Sequence, residues 1–86
     1  MSKVAIKIDW VPNNFSAAPM DENIACIATG NTLEEVEKNI IEALKSHIKA
    51  MLEDGEEVPA EFLGEWEPEF HLTTRAQLKG QSTYPR

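Results

Sequence analysis

The feature that most constrains the fold is a long amphipathic segment at residues 32–55, with the sequence TLEEVEKNIIEALKSHIKAMLEDG. Its apolar residues recur at spacings of three and four, which is typical of a helix with one buried face. The residues on this apolar face are Leu33, Val36, Ile40, Ala43, Leu44, Ile48, Met51 and Leu52. At 1.5 Å per residue the helix is expected to be roughly 33 Å long. A helix of that length must lie across the rest of such a short chain.

Both ends of this segment carry helix-terminating signals. Thr32 and Glu35 predict a capping box, in which the hydroxyl accepts from the amide three residues on and the carboxylate reaches back to the cap amide. Glu34, Glu35 and Glu37 lie near the positive end of the helix dipole. Gly55 supplies the left-handed residue that commonly ends a helix. The helix is therefore predicted to begin after residue 32 and to end before residue 55.

Four other segments have the character of strands. Residues 3–9 alternate strictly between apolar and polar side chains, and residues 15–19 follow a Pro-Asn-Asn turn that predicts a hairpin. Residues 24–29 form an apolar run that favours a strand, and residues 66–72 alternate with the even-numbered side chains inward. Pro68 makes the last of these segments an edge strand or marks a bulge in it. The predicted fold is α+β in the order β-β-β-α-β, an antiparallel sheet of three or four strands with one long helix packed on one face.

The predicted core combines the helix face with the apolar faces of the strands. The strand contributions are Val4, Ile6, Ile8, Phe15, either Ile24 or Cys26, Phe70 and Leu72. Val58, Phe62 and Leu63 are expected to tether the acidic loop at residues 56–64. The opposite face of the sheet has nothing in this chain to cover it.

The chain is expected to divide into a domain at residues 1–72 and a C-terminal segment at residues 73–86. Thr73 or Thr74 can cap a short helix that Gly80 should stop after about two turns, and the last six residues resemble a flexible tail. No segment in residues 73–86 predicts a DNA-binding module.

Composition restricts the class of protein. The chain has 86 residues, of which 42% are hydrophobic, and this fits one small domain. A formal net charge of −7 argues against direct nucleic-acid binding and favours a basic partner. The single cysteine, Cys26, excludes an internal disulfide and indicates a reducing compartment. With no membrane-spanning run and no signal peptide in evidence, the sequence predicts a cytoplasmic protein.

The segment CIATGNTLEEVEKNIIEALKSHIKAMLEDGEEVP, at residues 26–59, resembles the HicB antitoxin family of bacterial toxin–antitoxin systems. Its most specific parts are the Gly-Asn-Thr-Leu-Glu-Glu corner at residues 30–35 and the Asp-Gly-Glu exit at residues 54–56. The similarity extends over residues 3–72. Two departures stand out: residues 22–25 replace the usual Pro-Gly before the cysteine, and the helix-turn-helix or ribbon-helix-helix module that commonly follows is missing, which implies truncation or loss of DNA binding.

The resemblance implies a fold similar to a reduced ribonuclease-H-like sheet, without the enzymatic activity. It implies that the domain neutralises a small basic mRNA-cleaving toxin, HicA, by covering its RNA-binding surface. It requires no catalytic residue, metal or cofactor.

Partner binding is therefore assigned to exposed acidic residues and to two tryptophans. The candidates are Asp9, Trp10, Glu34, Glu35, Glu37, Glu56, Glu57, Glu61 and Trp66. Trp10, Val11 and Trp66, together with an unpaired sheet edge, also predict a homodimer formed by edge pairing or sheet packing.

Two alternatives remain open from the residues alone. A small metal-dependent nuclease of ribonuclease-H type would have to gather carboxylates such as Asp9, Glu42 and Glu69 around two metal ions. An orphan regulatory domain that only self-associates would need no toxin. Metal binding by His47 and His71 is disfavoured by their wide spacing, and Cys26 is expected to be a small core residue.

Overall fold

The computed structural model describes residues 1–81, so the predicted tail beyond Gln81 lies outside the described residues. These residues form a four-stranded sheet, one long helix, a short 3-10 turn and a second helix. In chain order the elements are β1 (Ser2–Val11), β2 (Asn14–Pro19), β3 (Ala28–Gly30), α1 (Leu33–Glu53), the 3-10 turn (Ala60–Phe62), β4 (Trp66–Leu72) and α2 (Thr74–Gln81). The predicted α+β class and the β-β-β-α-β order are confirmed, with α2 added at the end.

The sheet is mixed, with the strand order β3-β2-β1-β4. Strand β2 is antiparallel to both β1 and β3, whereas β4 is parallel to β1. The prediction of a purely antiparallel sheet was therefore wrong. Two successive reversals leave β3 parallel to β1, and α1 then carries the chain back along the sheet. The next strand starts at the same end as β1, and its place beside β1 makes that pair parallel.

Helix α1 packs on the face of the sheet that carries the even-numbered residues of β1. Val4, Ile6 and Ile8 are buried there, and Phe15 and Ala17 of β2 are buried beside them. The buried residues of α1 are Val36, Ile40, Leu44, Ile48 and Met51. The apolar strip predicted from the sequence is confirmed at these positions.

Leu52 was wrongly assigned to that strip, because its side chain is 54% exposed. Each four-residue step along a helix turns the side chain about 40° past a full turn. Three such steps lead from Val36 to Ile48, and a fourth would carry Leu52 beyond the sheet. The three-residue step to Met51 reverses the drift, so Met51 is buried and Leu52 faces solvent.

The segment before β3 differs from its prediction as a strand. Only residues 28–30 are in the sheet, and Ile24 reaches the core from a turn. The Asp21 side chain accepts from the amide of Asn23 at 2.9 Å, and its carbonyl accepts from the amide of Ile24 at 3.1 Å. These local bonds replace the strand ladder at this point. Cys26 is half-buried, and desolvation raises the pKa of its thiol.

Both ends of α1 follow the sequence signals, with one difference. The Thr32 hydroxyl accepts from the amide of Glu35 at 3.0 Å, as predicted. The Glu35 carboxylate accepts from the amide of Asn31 at 3.0 Å and not from that of Thr32. At the other end Gly55 has φ +75°, and its amide donates to the Leu52 carbonyl. The predicted left-handed stop is confirmed.

Gly30 sets how closely β3 approaches the start of α1. A Cβ at this position would lie 2.5 Å from the backbone nitrogen of Val36 and 2.9 Å from the carbonyl carbon of Glu35. The Asn39 side chain also donates to the carbonyl of Thr29 at 2.8 Å. The glycine is therefore required by space, and the sheet edge and the helix are fixed to each other at this corner.

Strand β4 is the edge strand that Pro68 predicted. Its even-numbered residues are half-buried and its odd-numbered residues are exposed, as expected. In the preceding loop Val58 and Phe62 are buried, but Leu63 is 51% exposed and does not tether the loop.

The opposite face of the sheet is polar and faces solvent. Lys3 lies 3.8 Å from Glu67 there, and Nε2 of His71 lies 2.9 Å from a Glu69 oxygen.

Helix α2 includes Gly80, which was expected to stop it. The amide of Ala76 donates to the Thr73 hydroxyl at 3.2 Å, so Thr73 is the cap. Ala76 is fully buried and extends the core beyond the end of the sheet.

Candidate partner-binding surfaces

The nine residues assigned to partner binding lie in separate parts of the domain. Asp9 and Trp10 lie near the end of β1, beside α2. Three of the glutamates lie in the first turns of α1, and the remaining four residues follow α1 in the sequence. The two ends of α1 are about 30 Å apart, given its 21 residues. One compact partner surface does not include all nine residues, which form separate groups.

At the end of β1, Asp9 has a structural role. Its Oδ1 accepts from the Thr73 hydroxyl at 2.6 Å and from the amide of Trp10 at 2.8 Å. The Thr73 hydrogen bond lowers the pKa of Asp9, the Trp10 amide and the charges of Arg75 and Lys7 act in the same direction, and partial desolvation opposes them. The carboxylate is thus used to hold α2 against the sheet.

Trp10 is half-buried next to α2. The Lys79 ammonium lies 5.2 Å from the centre of its ring, within the range of a cation–π contact. Arg75 Nη1 lies 3.5 Å from the Trp10 carbonyl oxygen. A shallow depression of about 350 Å³ is lined by Trp10, Arg75, Leu78 and Lys79. Its cationic lining makes this end of the domain a poor surface for a basic partner.

The glutamates at the start of α1 have different surroundings. The Glu35 carboxylate is bonded to the amide of Asn31, whereas Glu34 is exposed. Desolvation raises the pKa of Glu37, and the negative charge of Glu34 adds to the effect. A cation placed between Glu34 and Glu37 would reduce this repulsion, so this turn is a secondary candidate for contact with a basic protein.

The acidic residues after α1 form part of a larger feature. Glu57 and Glu61 line a depression of about 390 Å³ together with Asp21, Asn23 and Pro59. No lysine or arginine among residues 1–81 lines it. Asp21 comes from the loop between β2 and β3, 36 residues before Glu57 in the sequence. The fold therefore gathers three carboxylates from two loops into one acidic depression.

Sequence reasoning missed Asp21 as a member of this group. The signal was available: β2 ends and α1 ends at the same end of the sheet, since both run opposite to β1. The loops that follow them are therefore neighbours. Glu56 is exposed beside the same loop but does not line the depression.

Trp66 is placed at the start of β4, against the second half of α1. Its ring meets that of the buried Phe62 edge to face, with centroids 5.5 Å apart and an interplanar angle of 76°. The rest of the ring lines two shallow depressions on the surface. Trp66 is thus held by the core and remains open to a partner.

The carboxylates of the nuclease alternative lie on different sides of the sheet. Asp9 and Glu69 belong to the face that points away from α1, whereas Glu42 is exposed on α1 itself. Within residues 1–81 no three or more histidine, cysteine, aspartate or glutamate side chains are grouped so as to hold a metal ion. His47 is half-buried on α1, and His71 is exposed on the opposite face of the sheet.

Comparisons of this chain with models of protein families, with curated proteins and with solved structures find no match. Neither helix within the described part of the chain is long and apolar enough to cross a membrane.

Proposed function

We propose that this domain is a HicB-like antitoxin module that binds a small basic mRNA-cleaving toxin and covers its RNA-binding surface. In this proposal the sheet and α1 are a reduced ribonuclease-H-like scaffold that carries a binding surface and no reactive centre. The resemblance at residues 26–59 supports the assignment, and the exposed negative charge supports the choice of a basic partner.

The acidic depression is the observation that carries the proposal. Asp21, Glu57 and Glu61 converge there from two loops, without a lysine or arginine in the described lining. Carboxylates that line one depression attract a basic protein over distances of about 10 Å at moderate salt. Such a surface speeds the association of oppositely charged proteins and orients the encounter.

The residues that carry the family resemblance have a structural explanation. Gly30 allows the close contact with Val36, Thr32 caps α1, and Gly55 ends it. These residues account for the scaffold and leave binding to the side chains around it. Mutations in the acidic loops are therefore expected to affect the partner, and mutations in the corner at Gly30 to affect folding.

The test combines the purified domain with the small basic protein encoded beside it and measures cleavage of an mRNA. The proposal expects the domain to suppress cleavage at equimolar ratio and to elute with the toxin as one complex on a sizing column. Undiminished cleavage with no complex would reject it.

The same assay separates the two alternatives. RNA cleavage by the domain alone that requires magnesium and is lost in Asp9→Asn would favour the nuclease. A genome that encodes no short basic neighbour would favour an orphan domain that only self-associates.

A further inference from the structure

The surface around Trp66 combines an apolar depression with charged side chains of both signs. Two adjoining depressions of about 420 and 430 Å³ meet there and share Lys45 and Trp66. We call this surface the Trp66 patch, and its residues are Lys45, Lys49, Leu52, Glu53, Glu65 and Trp66.

The centre of the patch is apolar. Trp66 is half-buried and its orientation is set by the buried ring of Phe62. Leu52 of α1 does not pack in the core, and it is 54% exposed beside Trp66. An aromatic ring that packs on the core on one side and adjoins an exposed leucine on the other is typical of an interface anchor.

The charges around this centre are balanced. Lys45, Lys49, Glu53 and Glu65 line the two depressions, two positive and two negative, although the whole chain has a net charge of −7. A uniformly basic or uniformly acidic partner would meet two like charges at this patch. A second copy of the chain presents both signs, and a twofold interface requires a surface complementary to itself.

The spacing along α1 fits such an interface. Lys45, Lys49 and Glu53 follow one another at four-residue intervals, so they form a row on one side of the helix. Lys45 and Glu53 are about 12 Å apart along the axis, at 1.5 Å per residue. Two antiparallel copies of this row, related by a twofold axis near Lys49, bring Lys45 of each copy opposite Glu53 of the other. The two Lys49 side chains then lie near the axis, and each is one helical turn from Glu53 of its own helix.

We propose that a second copy of this chain docks on the Trp66 patch, with the C-terminal halves of the two α1 helices antiparallel. The rings of Trp66 and the Leu52 side chains fill the centre of the interface, and the Lys45–Glu53 pairs fix its register. The acidic depression and the polar face of the sheet take no part in this contact.

Sedimentation equilibrium over a range of concentrations tests this interface. The wild-type chain is expected to form a dimer. Lys45→Glu alters two contacts in a twofold dimer, so its dissociation constant should rise by about tenfold or more. The double exchange Lys45→Glu with Glu53→Lys restores opposite charges and should recover most of the lost affinity. Circular dichroism checks that each variant is folded.

Two exposed leucines provide a matched comparison. Leu52→Asp should dissociate the dimer, whereas Leu78→Asp, on α2 beside Trp10, should leave it intact because Leu78 is equally open but remote from the patch. A wild-type chain that stays monomeric at millimolar concentration overturns the proposal. A dimer that tolerates Lys45→Glu, or that is weakened as much by Leu78→Asp as by Leu52→Asp, also overturns it.

Discussion

The Thr73 hydroxyl donates a 2.6 Å hydrogen bond to Asp9, a residue 64 positions earlier in the chain. The same hydroxyl accepts from the amide of Ala76, and the amide of Thr73 donates to the carbonyl of Ile8 at 2.9 Å. The cap of α2 is therefore also the point at which the helix is fixed to the end of β1. The contact explains how a helix as short as α2 is held against the sheet.

Asp9→Asn is expected to destabilise the domain at neutral pH and to have less effect in acid. The hydrogen bond from Thr73 lowers the pKa of Asp9 in the folded state. A carboxylate with a lowered folded-state pKa contributes stability above its unfolded pKa, and this contribution is lost as the pH falls through the folded value. The difference in unfolding free energy between wild type and variant should therefore shrink below about pH 4.

Urea denaturation at several pH values measures this difference. The control is Glu42→Gln, which removes an exposed carboxylate from α1. Its difference from wild type should stay near zero across the same range. A difference for Asp9→Asn that is constant from neutral to acid pH would mean that the charge of Asp9 does not stabilise the α2 contact.

Gly30→Ala is expected to cost about 1–3 kcal/mol of unfolding free energy, because the added methyl meets backbone and not a movable side chain. Gly55→Ala should also cost about 1–2 kcal/mol, but for a different reason, since Gly55 has φ +75° with open space around it. Chemical denaturation measures both.

Asparagine distinguishes the two causes. It adopts left-handed backbone more readily than alanine does, so Gly55→Asn should recover part of the stability lost in Gly55→Ala. Gly30→Asn should be worse than Gly30→Ala, because a larger side chain enlarges the clash with Val36. The opposite order at either position would contradict the role given to that glycine.

Helix α1 could be predicted in detail because its signals are local. The cap at Thr32, the stop at Gly55 and the repeat of apolar residues all lie within the segment that they specify. The direction of β4 depends on the whole chain. It follows only when the changes of chain direction between β1 and β4 are counted. Ile24 was misread because the apolar run gave no sign that Asp21 would close a turn onto it.

The candidate surface was less predictable than the fold. Charge alone located Glu57 and Glu61 in an exposed loop, but their neighbour Asp21 depends on the packing of two loops that are distant in sequence. The hydrogen bond between Asp9 and Thr73 was equally unpredictable, because 64 positions separate the two residues in the sequence. The direction in which a polar side chain points, and what it meets there, depends on tertiary structure.

Leu44→Ala and Leu52→Ala test where the helix face ends. Leu44 is fully buried, so its truncation should cost about 2–5 kcal/mol of unfolding free energy. Leu52 is 54% exposed, and its truncation should change stability by no more than about 0.5 kcal/mol. Denaturation is measured at a concentration low enough for the chain to be monomeric. If both variants lost the same unfolding free energy, Leu52 would have to be a buried residue of the helix face.

Removing the charge of the acidic depression should slow the binding of a basic toxin. The triple variant Asp21→Asn, Glu57→Gln and Glu61→Gln keeps the size of each side chain and removes three negative charges from the lining. Its association rate is expected to fall by about tenfold or more at low salt, because oppositely charged proteins associate faster than neutral ones. Stopped-flow mixing measures the rate.

The matched control removes three charges elsewhere, through Glu42→Gln, Glu67→Gln and Glu69→Gln. These carboxylates lie on α1 and on the opposite face of the sheet, and both triple variants have the same net charge. If only the total charge mattered, the two variants would slow association equally. A larger loss in the first variant, which diminishes as salt screens the charges, assigns docking to the depression, and a larger loss in the second assigns it to another face.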